Sequence, residues 1–231
     1  MKFHKIIIPL FFLFGFSGFS QHSEIGMQLG ASYYLGELNP SLHVINKPNP
    51  SLGVFYRKNI NKRYSLRVGA NYARLGAADN ISSTAFGEFR ALSFSTDLLE
   101  GYGTLEFNFI PYQINNYATS NFTPYVFIGI AAFYVSPNVE GEITDLVKKD
   151  VVAPSVPFGF GIKFNFVENF GLGIEWGMRK TFTDQVDGLT DTYIHGYQLS
   201  NTQNNDWYSI VGITLNYKFL TERDRCPGVI N

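Results

Sequence analysis

From Val156 to Phe166 the chain alternates without a break. Val156, Phe158, Phe160, Ile162, Phe164 and Phe166 fill the even positions, and Pro, Gly, Lys or Asn the odd ones. The next run repeats the pattern, with Phe170, Leu172, Ile174, Trp176 and Met178 set against Gly171, Gly173, Glu175, Gly177 and Arg179. Near the C-terminus Trp207, Ser209, Val211, Ile213, Leu215, Tyr217 and Phe219 share one face, opposite Gly212, Thr214, Asn216 and Lys218. A side-chain period of two sustained this long makes strands with one apolar and one polar or small face. No helical period of comparable strength runs between them.

Eight such strands are expected, at about 24–35, 51–60, 64–75, 91–109, 122–134, 154–167, 170–182 and 206–219. The fourth changes phase near Leu98-Leu99: Leu92 and Phe94 are even, whereas Leu105, Phe107 and Phe109 are odd. A β-bulge or an early strand break would account for that shift. The fifth is apolar on both parities from Tyr125 to Ile130, apart from Gly129.

The apolar face of an eight-stranded barrel turns inward in a soluble lipocalin-type protein and outward to lipid in a membrane barrel. Three features select the membrane. The polar face carries Arg67, Glu175 and Arg179 beside Gly69, Gly171, Gly173 and Gly212, which suit a narrow, crowded interior. Aromatics gather at strand ends, with Tyr64, Phe109, Phe122, Phe166, Phe170 and Phe219 at one girdle and Tyr33, Tyr72, Phe94, Phe133, Phe182 and Trp207 at the other. Connections also alternate in length. Those after strands two and six are tight (Asn61-Lys62-Arg63 and Glu168-Asn169) and the one after strand four has about a dozen residues, against roughly 15 to 23 after strands one, three, five and seven. The fold expected is an all-β, eight-stranded antiparallel up-and-down transmembrane β-barrel of outer-membrane type. Its short turns and both termini would lie in the periplasm.

Composition agrees. Charged residues make up 16% of the 231-residue chain, against ~25% in ordinary soluble proteins. Hydrophobic residues reach 45%, with 22 Phe and 14 Tyr. A net charge of −1 offers no basic field for nucleic acid. Residues 1–20 read as a secretory signal peptide: Lys2, His4 and Lys5 precede an apolar run from Ile6 to Phe16, and Gly18-Phe19-Ser20 supplies a cleavage site. Residues 21–220 would form the barrel and 221–231 a periplasmic tail. Leu215-x-Tyr217-x-Phe219 has the form of a barrel-insertion signal, here followed by that tail.

Eight strands enclose a space that side chains can fill, so no open pore is expected. The inward charges Arg57, Arg67, Glu106, Lys163, Glu175, Arg179 and Lys218 are expected to form a paired network. Catalytic chemistry is not indicated. A His195, Asp191 and Ser200 set can be drawn from the last loop, but those residue types are common in loops; His22 sits at the new N-terminus and His43 in the Pro-rich first long loop. Asp184, Asp187 and Asp191 lack the ligand spacing of a calcium loop. Cys226 is the single cysteine, which excludes a disulfide framework and a structural zinc site. No cofactor, metal or small-molecule substrate is expected.

The first strand and its exit read Glu24-Ile-Gly-Met-Gln-Leu-Gly-Ala-Ser-Tyr-Tyr-Leu-Gly-Glu-Leu-Asn-Pro40. This resembles the opening of the PorG-like outer-membrane barrels of the type IX secretion system, through Tyr34, Gly36, Glu37, Leu38, Asn39 and Pro40. The resemblance implies a non-enzymatic role, anchoring or positioning a periplasmic ring built from a lipoprotein and a soluble partner. It implies contact through the periplasmic turns and tail, at Lys58, Lys62, Arg63, Tyr112, Asn115, Glu222, Arg223, Arg225 and Cys226. The competing reading is a stand-alone surface barrel that binds lipid or external ligands through its long loops, or carries a loop-borne hydrolase.

Overall fold

A computed structural model describes residues 23–35, 48–78, 93–112, 122–140, 150–167, 169–183, 193–194, 197–198 and 206–219. Eight strands close into one antiparallel barrel: β1 (Ser23–Leu35), β2 (Asn49–Asn59), β3 (Tyr64–Ala78), β4 (Ser93–Asn108), β5 (Phe122–Glu140), β6 (Val151–Val167), β7 (Phe170–Thr181) and β10 (Trp207–Phe219). Each pairs with its sequence neighbour, and β1 closes the barrel on β10 from Ser23↔Phe219 to Leu35↔Trp207. Two-residue strands β8 (Tyr193–Ile194) and β9 (Tyr197–Gln198) make a separate ribbon between β7 and β10. No helix among the described residues is long and apolar enough to cross a membrane.

Two expectations are corrected. The phase change in β4 is neither a bulge nor a break, because its register with β3 runs unbroken from Tyr64↔Phe107 to Ala78↔Ser93. Leu98 is buried and Leu99 exposed, so odd positions face outward throughout the described part of the strand. The pattern shifts because the lumen itself turns apolar at that height. The register irregularity lies instead at Asn165/Val167, between β6 and β7. The loop after β5 is also shorter than expected. β5 runs on to pair Glu140 with Ser93, which leaves residues 141–150, fewer than the 109–121 of the β4–β5 connection.

The outer surface is apolar: Ile25, Met27, Leu29, Leu52, Val54, Leu66, Val68, Ile128, Ile130, Ile174 and Ile213 are all exposed. The lumen holds the polar groups. This inversion of a soluble core is the arrangement of an outer-membrane-type barrel. Along β3, the outward span from Tyr64 to Tyr72 is about 26 Å of strand, or about 20 Å along the axis at a typical tilt of ~40°, close to a lipid belt of ~25 Å. At the end where β1 begins and β10 finishes, Tyr64, Phe109, Phe122, Phe170 and Phe219 are exposed. Neighbouring rings there pack on one another: Tyr64 on Phe107, Phe107 on Phe109, Phe122 on Phe164, and Tyr217 on both Phe170 and Phe219. At the far end Tyr72 and Phe182 face out, and Trp207 meets Phe158 edge-on. Phe133 does not join that girdle, because it is buried in the lumen against Tyr208.

Candidate functional site

The lumen divides by height. The half nearer the start of β1 and the end of β10 is ionic, because strand positions facing inward carry paired charges on neighbouring and opposite strands. Glu24 and Arg57 face each other across β1 and β2, with Arg57 Nη1 3.0 Å from Glu24 Oε2. Arg57 Nε lies 2.9 Å from Glu106 Oε2 and Arg67 Nε 3.1 Å from Glu106 Oε1. Lys163 Nζ reaches the same Glu106 at 2.6 Å and donates to Asn108 Oδ1 at 3.0 Å. Arg67 then grips Glu175 with both terminal nitrogens, at 2.5 and 3.1 Å. The rings of Phe55, Tyr102 and Phe127 stand 5.1 to 5.5 Å from the Arg67 guanidinium carbon, a cation–π cage that shields the pair from solvent.

Neutral groups fill the remaining lone pairs. Tyr125 donates to Glu175 at 2.5 Å, and Asn59 to Glu24 at 2.7 Å. Asn216 Nδ2 also donates to Glu24. Higher up, Arg179 pairs with Glu100 at 3.3 Å, and Asn71 and Tyr208 donate to Glu100 at 2.7 and 2.5 Å. Removing such charges from water costs several kcal/mol each, so they persist only when paired and hydrogen-bonded.

Above Glu100 the lumen holds an apolar cluster beside the buried polar groups of Thr96, Thr181 and Asp206. Tyr34, Ala73, Leu75, Leu98, Phe133, Val135, Ala153, Tyr208 and Ile210 form one buried cluster. These residues come from six of the eight strands, so the cluster spans the lumen. At its margin the Tyr34 hydroxyl donates to Asp206 at 2.5 Å.

At the opposite mouth, the turn between β2 and β3 is tied to the β4–β5 connection. Asn61 Oδ1 accepts from the backbone N–H groups of Arg63 and Tyr64, both at 2.8 Å. Arg63 Nη1 donates to the Phe109 carbonyl at 2.9 Å, Asn108 N to the Arg63 carbonyl at 2.7 Å, and Tyr112 N to the Lys62 carbonyl at 2.8 Å.

The seven charges assigned to the lumen from sequence (Arg57, Arg67, Glu106, Lys163, Glu175, Arg179 and Lys218) are all buried. The ion pairs join six of them to one another or to a further glutamate, whereas Lys218 bonds to Asn165 Oδ1 at 2.5 Å. Sequence reasoning missed Glu24 and Glu100. Glu24 was legible, since it sits opposite in parity to Ile25, Met27 and Leu29. Glu100 was hidden by the phase change in β4. Of the residues assigned to partner contact, Lys62 and Arg63 are exposed and Lys58 is half-buried. Tyr112 is a correction: it turns into the lumen mouth, buried, with its hydroxyl donating to Asn165 at 2.6 Å. Asn115, Glu222, Arg223, Arg225 and Cys226 lie outside the described residues, as do residues 1–22, His43, His195 and the loop aspartates. Among the described residues no group of three or more His, Cys, Asp or Glu is placed to hold a metal ion.

The chain is similar in path to several solved barrels. Ail of Yersinia pestis, solved with the heparin analogue sucrose octasulfate, shares 12% identity at a TM-score of 0.49, covering 87% of this chain and 100% of that one. The N-terminal barrel domain of Pseudomonas aeruginosa OprF shares 12% at 0.46, covering 85% and 97%. OprG of the same organism shares 11% at 0.42, covering 87% and 97%. At these identities no function is carried across. No curated protein sequence matches the chain. Residues 3–228 match the family described as a domain of unknown function, DUF6089, and the chain belongs to that family.

Proposed function

We propose that this barrel is a non-enzymatic outer-membrane component of the type IX protein secretion machinery, with both termini in the periplasm. It anchors or positions a periplasmic ring, built from a lipoprotein and a soluble partner, through its periplasmic turns and C-terminal tail. The observation that carries the reading is the mouth where β1 begins and β10 finishes, at which the β2–β3 turn is hydrogen-bonded to the β4–β5 connection. There Lys62 and Arg63 project from a turn whose backbone is fixed to the neighbouring connection, a preorganised basic surface for an acidic protein partner. The apolar cluster across the lumen fits a scaffold rather than a conduit. The opening motif of β1 supplies the resemblance that names the machinery.

The test is a pull-down from mild detergent on a tag in a far-end loop. Stoichiometric recovery of a periplasmic lipoprotein ring is expected, with its loss in a Lys62→Glu, Arg63→Glu double variant that still forms the barrel. Recovery of the barrel alone, with the ring intact elsewhere in the sample, overturns the reading.

One observation favours the alternative of a stand-alone surface barrel. On the outer face of the far end, Arg74, Asp97, Ser136 and Asp150 make a polar row across β3 to β5 and the start of β6. Arg74 lies 2.9 Å from Asp97, and Ser136 donates to Asp150 at 2.9 Å. Such a row suits headgroups or external ligands. Unchanged ring recovery together with lost surface adhesion in an Asp97→Asn, Asp150→Asn variant would favour it.

A further inference from the structure

The seams of the barrel are not equal. Between β5 and β6 the pairing runs from Phe122↔Phe164 to Ile128↔Phe158, stops, and resumes at Ala131↔Ser155. The gap falls in mid-wall at Pro157, which has no N–H to donate. Pairing of Pro157 with Arg179 on β7 is intact, so the missing donor is one that would face β5. The Gly129 carbonyl thereby loses its ladder donor at the depth of the lipid-facing Ile128 and Ile130, where bulk water cannot replace it. The other strand prolines, Pro50, Pro124, Pro137 and Pro154, lie within four residues of a strand end, where little pairing is at stake. The register irregularity at Asn165/Val167 is likewise at a strand end.

Side chains do not cover the gap from outside. Ile130 is 76% exposed, the most of any large apolar residue on the described wall, and β4 sets only Gly103 beside it. The next outward pair across the seam is Ala132 and Pro154, both short. Inside, one ring crosses the seam. A methyl group on Gly159 of β6 or Gly177 of β7 would meet Phe127 Cζ at 2.8 Å, so this β5 side chain reaches over both neighbouring strands. The Arg67 guanidinium carbon lies 5.1 Å from the centre of the same ring, and Arg67 is itself bound to Glu175 on β7.

We propose that β5–β6 is a latched lateral seam, at which the wall parts locally between Ile128 and Ala131 while the rest of the barrel stays closed. Phe127 is the strap that holds it shut, and the Arg67–Glu175 pair holds the strap. The position is set by the lumen. Below the gap Phe127 lies against the ionic network, and above it Phe133, Val135 and Ala153 belong to the apolar cluster. A stretch of wall with a broken ladder and small outer neighbours opens at lower cost than one with a continuous ladder. The device is independent of any secretion role.

The test is amide hydrogen exchange of the full chain folded in detergent, resolved residue by residue. The Gly129, Ala131 and Ser155 amides are expected to exchange about tenfold or more faster than mid-wall amides of the continuous β1–β10 seam, around Gly30 and Gly212. Pro157→Ala restores the missing donor and should bring the two seams to within about threefold of each other. Phe127→Leu keeps an apolar side chain but shortens the strap, and should speed exchange at β5–β6 without changing β1–β10. Equal exchange at the two seams of the native chain overturns the proposal, as does fast exchange that survives Pro157→Ala. Unchanged exchange in Phe127→Leu overturns the role of the strap. Should Pro157→Ala fail to form the barrel, the comparison of the two seams in the native chain decides by itself.

Discussion

The two halves of the lumen solve one packing problem in opposite ways. Near the start of β1 and the end of β10, Arg57, Arg67, Lys163, Glu24, Glu106 and Glu175 interlock as charges. At the far end, Leu75, Leu98, Phe133, Val135 and Ile210 interlock as hydrocarbon. Both fill the barrel, but they fail differently. A buried ion pair adds little net stability over a well-packed apolar set, yet it is expensive to break on one side only. An apolar cluster loses stability in proportion to the volume removed, and no partner's removal restores it.

The largest effect tests this contrast directly. Arg67→Met strands Glu175 and half of Glu106, and should cost about 3–5 kcal/mol in urea unfolding of the detergent-folded barrel. Adding Glu175→Leu should recover most of that loss, a rescue that would fail if the cost came from lost ring packing alone. Leu98→Ala should cost about 2–4 kcal/mol. Pairing it with Ile210→Ala should make matters worse, so recovery in that double variant would erase the distinction between the halves.

Glycines sharpen the comparison from inside to outside. A methyl group on Gly30 would collide with the Val211 carbonyl and the Gly212 backbone, whereas one on Gly101, on the lipid face, meets nothing within 4 Å. Gly30→Ala should cost about 1–3 kcal/mol. Gly101→Ala should be neutral or stabilising by up to about 1 kcal/mol, because glycine weakens a strand interior. Similar losses at both positions would mean that the two faces are equally packed.

The smallest effect concerns pH at the far rim. Hydrogen bonds from the Tyr134 and Ser136 hydroxyls hold the Asp150 carboxyl below the usual carboxylate range. A carboxyl lowered in the folded state contributes above its unfolded value, and that contribution fades as pH falls through the folded one. Asp150→Asn should therefore lower the unfolding midpoint slightly at pH 7 and not at pH 3. An equal shift at both values would assign the contact to packing.

Sequence alternation was most legible where the two faces differ most. β6, β7 and the lower part of β10 run from hydrocarbon outside to glycine, asparagine and charge inside, so parity alone assigned Lys163, Glu175 and Lys218 to the lumen. It failed where both faces are apolar. Leu98 and Leu99 look alike in sequence but point to opposite environments, and Phe133 reads as a girdle aromatic although it packs on Tyr208. The same ambiguity concealed Glu100. The resemblance places Tyr112 among the partner contacts on the periplasmic connections, whereas it turns into the lumen. Its inward turn depends on hydrogen bonds to Lys62 and Asn165, which are distant in sequence.

The sequence by itself determined the number of barrel strands and which face meets lipid, because a period of two is a local property of the pleated backbone and needs no distant partner. Only the tertiary structure decided which charges pair, where the lumen changes from ionic to apolar, and which connection folds into the mouth. Those outcomes rest on strand register and closure, which bring Arg67 to Glu175 and Glu24 to Asn216 across the whole length of the chain.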